Sequence, residues 1–179
     1  VSLRRARLEG AKWVEFDVML SADGVPVLFH DDMVNRTTSG KGAVNKLDYA
    51  TLSQLDAGLW FDTAFAGARI PSFVEAIQTL AAENLGANVE IKPFPGTTRE
   101  TAEATCRVIL ESWPQSVPAP VISSFDADAM VWRGICSGIC RARCCSGNYP
   151  ATGRALSPNW IVVPSMHRIA LPQKRWSMR

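Results

Sequence analysis

The stretch Trp13-Val-Glu-Phe-Asp-Val-Met-Leu-Ser-Ala-Asp-Gly-Val-Pro-Val-Leu-Phe-His-Asp-Asp32 decides the fold. Two apolar runs, 13–20 and 25–30, flank the turn Ala22-Asp23-Gly24, and each reads as a short buried strand. The first run carries Glu15 and Asp17. Residues two apart on a strand share a face, so both carboxylates point the same way. Two like charges on a buried face are costly unless something neutralises them. A divalent cation with oxygen ligands would do so. The second run ends in His30, followed by Asp31 and Asp32, where the strand leaves the rim of a sheet. The stretch therefore supplies a candidate metal site beside a candidate acid/base.

Glu90 and Lys92 repeat the pattern on Ala87-Asn-Val-Glu-Ile-Lys-Pro93, a strand stopped by proline. A Glu–Lys pair on an exposed edge strand is the plain alternative. In a parallel barrel, residues at the C-terminal ends of strands face the active-site mouth. Glu15, Asp17, His30, Glu90 and Lys92 are then expected to converge there. Three carboxylates without cysteine favour a hard ion, Mg²⁺ or Ca²⁺. Such an ion neutralises phosphate oxygens, Lys92 adds a point charge, and His30 moves a proton near neutral pH. The set suits phosphodiester cleavage better than carbonyl chemistry. The plain alternative for His30 is a loop histidine bonded to Asp31 or Asp32.

Around these strands the chain alternates. A helix over the first residues closes at Gly10. A polar, turn-rich excursion covers 33–48, a short helix capped by Asp48 or Thr51 follows, and 59–70 form an aromatic loop. Pro71-Ser72 opens a helix with an apolar stripe at 73, 74, 77, 80 and 81. Arg99 to Trp113 form another, with apolar positions 102, 105, 106, 109, 110 and 113. Residues 121–125 are a further strand, and Asp126 starts a short helix. This order predicts an α/β fold with parallel strands.

The chain has 179 residues, 47% hydrophobic and 20% charged, with net charge +2. That is an ordinary globular composition with no argument for nucleic acid. No apolar run approaches the ~20 residues of a membrane span. The charged N-terminus has no apolar core of the signal-peptide kind and no initiator Met. The cysteines are uneven: Cys106 alone, then Cys136, Cys140, Cys144 and Cys145 together. A secreted disulfide scaffold would spread them, so a reducing, cytoplasmic compartment is expected. The clustered spacing matches no common metal knuckle.

Glu15-Phe-Asp17, Asp23-Gly24, His30-Asp-Asp32 and Arg36-Thr-Thr38 closely resemble the glycerophosphodiester phosphodiesterase family. So do Leu55-Asp-Ala-Gly-Leu-Trp-Phe61, Arg69-Ile-Pro71, Asn88-Val-Glu-Ile-Lys-Pro93 and Ser123-Ser-Phe125, over roughly residues 8 to 130. The resemblance, nearest to the short cytoplasmic bacterial type, implies a TIM-type barrel. It also implies metal-dependent hydrolysis of glycerophosphodiesters to glycerol 3-phosphate and an alcohol. By the family pattern Glu15, Asp17 and Glu90 hold the metal, His30 is one of two catalytic histidines, and Lys92 touches the substrate. The excursion over 35–70 matches the family's insertion that helps cover the glycerol side. The family's opening strand, ending in His-Arg-Gly and then Glu-Asn-Thr, has no counterpart here. Nor do the last three barrel strands. The expected architecture is a partial (β/α)₈ barrel lacking the first strand and the last three. It is expected to be truncated at both ends, with impaired activity. Two other readings stand beside it. One is a catalytically dead fragment that only binds a phosphodiester or a partner. The other is a different barrel phosphodiesterase of the phospholipase C or D type.

The barrel domain is expected over 1–130, and an unpatterned tail over 131–179. The tail is rich in Arg, Cys, Ser, Pro and Trp and has no lasting period beyond Trp160-Ile-Val-Val163. Loss of agreement between local and global signals is foreign to an evolved domain. A shifted reading frame, or a disordered tail, is the expectation. His167 lies in it and is given no role.

Overall fold

The computed structural model describes residues 1–131, 141–142 and 160–162. The tail's order, its cysteines, His167 and the frame-shift reading otherwise lie outside the described residues. Helix α1 (Ser2–Leu8) buries Leu3 and Ala6, and Gly10, at φ +92°, turns the chain into the sheet. Strand β1 (Trp13–Leu20) is the axis of the fold. On one of its faces Val14, Phe16 and Val18 are buried in the main core, the two valines fully. The opposite face carries Glu15 and Asp17.

Strand β2 (Pro26–Leu28) pairs with β1 in antiparallel register, Val18 opposite Leu28. The expectation of a 25–30 strand in a parallel set is corrected here. A turn of a few residues joins only antiparallel neighbours, because a parallel return needs a crossover of a dozen or more. Gly24, at φ +77°, makes that turn, and Ser21 and Val25 bond across it. The excursion after β2 holds two short 3₁₀ turns (Val44–Lys46, Thr63–Phe65) and helix α2 (Tyr49–Leu52). Asp48 caps α2, accepting from the Thr51 N–H at 2.8 Å. Met19, Val27, Phe29, Val34, Val44, Leu52 and Phe94 make a second core beneath this excursion.

Helix α3 (Phe73–Glu83) starts at a capping box between Ser72 and Glu75 and stops at Asn84, φ +50°. Its buried stripe is Phe73, Ala76, Ile77 and Leu80. Val74, expected inside, is exposed. Strand β3 (Gly86–Ile91) pairs with β1 in parallel, Asp17 beside Glu90. Gly86 is required there, since a Cβ would stand 2.6 Å from the Trp13 ring. Helix α4 (Thr98–Ser112) buries Ala102, Cys106 and Ile109 and leaves Leu110 exposed, against expectation. Strand β4 (Val121–Ser123) adds in parallel to β3, and helix α5 (Ala127–Val131) follows, with Asp126 accepting from the Asp128 N–H.

Two short strands come from the segment expected to lack pattern. β5 (Arg141–Ala142) lies parallel to β4. β6 (Trp160–Val162) lies parallel to β1 along Trp13–Glu15, on the edge that β2 takes further along. The order is β2-β1-β3-β4-β5, with β6 beside β1. Helices α1, α3 and α4 pack on the apolar face. The result is a partial barrel wall of α/β type.

Candidate metal centre and acid/base

Strand alternation brings the carboxylates together. Glu15 and Asp17 are two apart on β1, and Glu90 is the lateral neighbour of Asp17 on β3. One ligand oxygen from each of the three lies within 4.8 Å of the other two. Asp17 is only 5% exposed.

This crowding has an electrostatic signature. Burial first, and then the charges of Asp17 and Glu90, push the Glu15 carboxyl up to about 8. Burial and the Asp17 charge push Glu90 up to about 7. Asp17 is also raised by burial, while Lys92, His30 and a hydrogen bond from the Glu90 carboxyl pull it back. Without another positive charge the cluster holds protons near neutral pH. An all-oxygen, highly anionic set of this kind fits a hard divalent cation, which would displace those protons.

His30 follows β2 at the same end of the sheet. Its Nδ1 lies 2.9 Å from Asp31 Oδ1. Arg36 grips the same carboxylate with two N–H bonds of 2.6 Å, from Nε and a terminal nitrogen. The Arg36 bond holds the Asp31 carboxyl below the usual range, so Asp31 is an anion and accepts Nδ1–H. That leaves Nε2 to move a proton. Lys92 Nζ donates to the His30 carbonyl oxygen at 2.6 Å, and its charge acts on all three carboxylates. The five residues read from the sequence thus meet at one end of the sheet. The bond to Asp31 expected of a plain loop histidine is formed.

Sequence reasoning missed the clamp by Arg36. The signals were an arginine five residues beyond Asp31 in a turn-rich segment and its place in the Arg36-Thr-Thr38 motif. The aromatic loop expected over 59–70 is present, but its contact with Arg36 was not foreseen. Arg36 lies over the Trp60 ring at 5.9 Å, Trp60 meets Phe61 edge-on at 5.7 Å, and Phe61 meets Phe65 at 5.7 Å.

Residues 1–133 match the model of the Glycerophosphoryl diester phosphodiesterase family. The chain belongs to this family. A glycerophosphodiester phosphodiesterase of Caldanaerobacter subterraneus is 36% identical over 107 residues, 58% of this chain and 44% of that protein. Glycerophosphodiester phosphodiesterase 1 of Homo sapiens is 32% identical over 126 residues, 69% of this chain and 37% of that protein. Among solved structures, an Oleispira antarctica phosphodiesterase in complex with the product sn-glycerol-3-phosphate superposes with TM-score 0.77. It is 39% identical, over 84% of this chain and 60% of that one. The chain spans about half, or less, of the length of the curated relatives it matches. These likenesses give the wall of β1, β3 and β4 its place in a TIM-type barrel.

Proposed function

We propose that this chain carries most of the active centre of a metal-dependent hydrolase that cleaves glycerophosphodiesters to glycerol 3-phosphate and an alcohol. The observation that carries the reading is the half-buried cluster of Glu15, Asp17 and Glu90 beside Lys92 and His30. The three carboxylates would hold one divalent cation, Mg²⁺ or Ca²⁺. A bound cation there supplies positive charge to the phosphate oxygens and to the attacking and leaving oxygens. Lys92, already turned toward His30, adds charge on the substrate phosphate. His30, fixed through Nδ1 by Asp31, gives or takes a proton at Nε2. The Oleispira protein's bound product is of the same chemical class, which supports a glycerol phosphate moiety as the group held here. The substrate is a small molecule, and no helix among the described residues is long and apolar enough to cross a membrane. The cysteine pattern and the resemblance to the short bacterial type support a cytoplasmic setting.

Among the described residues His30 is the sole histidine. These residues supply one proton carrier where the resemblance implies two, so low turnover is expected of the 179-residue chain. The same observation supports the second reading, a fragment that binds the diester without cleaving it. Titration with glycerol 3-phosphate tests the first. Binding should need Mg²⁺ or Ca²⁺, and should be lost with chelator or with Glu15→Ala. Equal binding with and without a cation would sink the reading. Incubation with glycerophosphocholine separates the others: choline and glycerol 3-phosphate indicate hydrolysis, a cyclic phosphate the phospholipase type, and no product binding only.

A further inference from the structure

Among the described residues two buried side-chain polar atoms have no hydrogen-bond partner, Asn88 Oδ1 and Thr105 Oγ1. Thr105 lies on α4, away from the carboxylates. Asn88 lies two residues before Glu90 on β3, so its side chain shares that face. Its lateral neighbour on β1 is Glu15. On the other side its Nδ2 donates to Ser123 Oγ of β4 at 3.0 Å. The amide is planar with diverging ends. The end not used on Ser123 is therefore directed away from β4, toward the strand that carries Glu15. Two needs meet there. Among the described residues the Glu15 carboxyl, crowded by Asp17 and Glu90, has no hydrogen bond. Next to it stands an acceptor with no donor.

An amide oxygen and nitrogen have nearly the same shape, and their assignment follows from the partners. A serine hydroxyl both donates and accepts. We propose that the Asn88 amide works in the opposite orientation. With Glu15 ionised, as when a cation has displaced its proton, its Oδ1 accepts the Ser123 hydroxyl proton and its Nδ2–H donates to the Glu15 carboxylate. Reversal keeps the Ser123 bond and replaces an orphaned acceptor by a charge-assisted bond. Asn88 is then a positioning residue. It fixes the Glu15 carboxylate for the cation, as outer partners commonly fix metal-binding side chains. Ser123, 2% exposed, fixes Asn88 in turn.

The inference rests on the cation reading for its purpose, though not for its geometry, and two measurements keep these apart. The first is the NMR signal of the Asn88 side-chain NH₂ in the labelled 179-residue chain, held above pH 8 so that Glu15 is ionised. It should move strongly with Glu15→Ala and little with Ser123→Ala. The reverse order would place Nδ2 on Ser123 and overturn the inference. The second is calorimetric binding of Mg²⁺ and Ca²⁺. Asn88→Ala should weaken affinity ~10–100-fold, the usual cost of a lost outer partner. Unchanged affinity would overturn the positioning role. If the unsubstituted chain binds neither ion, the cation reading fails, while the NH₂ signal still decides the orientation of Asn88.

Discussion

Replacing Glu15 by Gln keeps the side chain's shape and removes one of three crowded charges. In the cation-free protein this should stabilise the fold, and a bound cation should largely cancel that advantage. The Glu15 carboxyl rises from 4.5 to about 8 on folding. A group raised in this way contributes stability that is fully present below its unfolded value. That stability is lost as pH climbs through the folded one. At 1.36 kcal/mol per unit the ceiling is ~5 kcal/mol above pH 8. Residual solvent access to the carboxylate brings the expected figure to ~2–3 kcal/mol. For a chain of this size each kcal/mol moves Tm by ~2–4 °C. In chelator at pH 8, Glu15→Gln should therefore melt ~5–10 °C above the unsubstituted chain, and at pH 5 the difference should nearly vanish. With cation at a hundred times its Kd, the unsubstituted chain should gain ~2.7 kcal/mol that the variant largely forgoes. Thermal melts by circular dichroism at both pH values, with and without Mg²⁺, read all four states. A variant that melts lower in chelator at pH 8, or a difference independent of pH, would refute the reasoning.

In a full-length relative of this chain, His30→Ala should cut turnover ~10²–10⁴-fold with cation affinity unchanged; near-normal kcat would return His30 to a loop residue bonded to Asp31. Gly86→Ala puts a methyl 2.6 Å from the Trp13 ring and should cost ~1–3 kcal/mol in denaturant unfolding; a neutral result would mean that Trp13 moves aside freely. Ser72→Ala removes the capping-box hydroxyl and should cost ~1 kcal/mol by the same measurement, with no change in cation binding.

The carboxylate cluster was legible because period-2 alternation is rigid: once 13–20 is a strand, Glu15 and Asp17 must share a face. Glu90 joined them for the same reason, although its register beside Asp17 is a tertiary fact that no local pattern carries. The antiparallel run of β2 was implicit in the shortness of the Ala22-Asp23-Gly24 turn, but the apolar run alone does not state a direction. Val74 and Leu110 were misplaced because apolar spacing defines a stripe wider than the face a helix buries. Strands β5 and β6 are two and three residues long, too short for any period to be seen. The Arg36–Asp31 clamp depends on a loop folding back on itself, and loops carry turn signals rather than contact signals.

The most direct test is a crystal structure of the chain soaked in Ca²⁺ at pH 8. One ion should be bound by oxygens of Glu15, Asp17 and Glu90 at ~2.3–2.6 Å. An ion held elsewhere, or none at that cluster, would contradict the metal centre on which the proposed function stands.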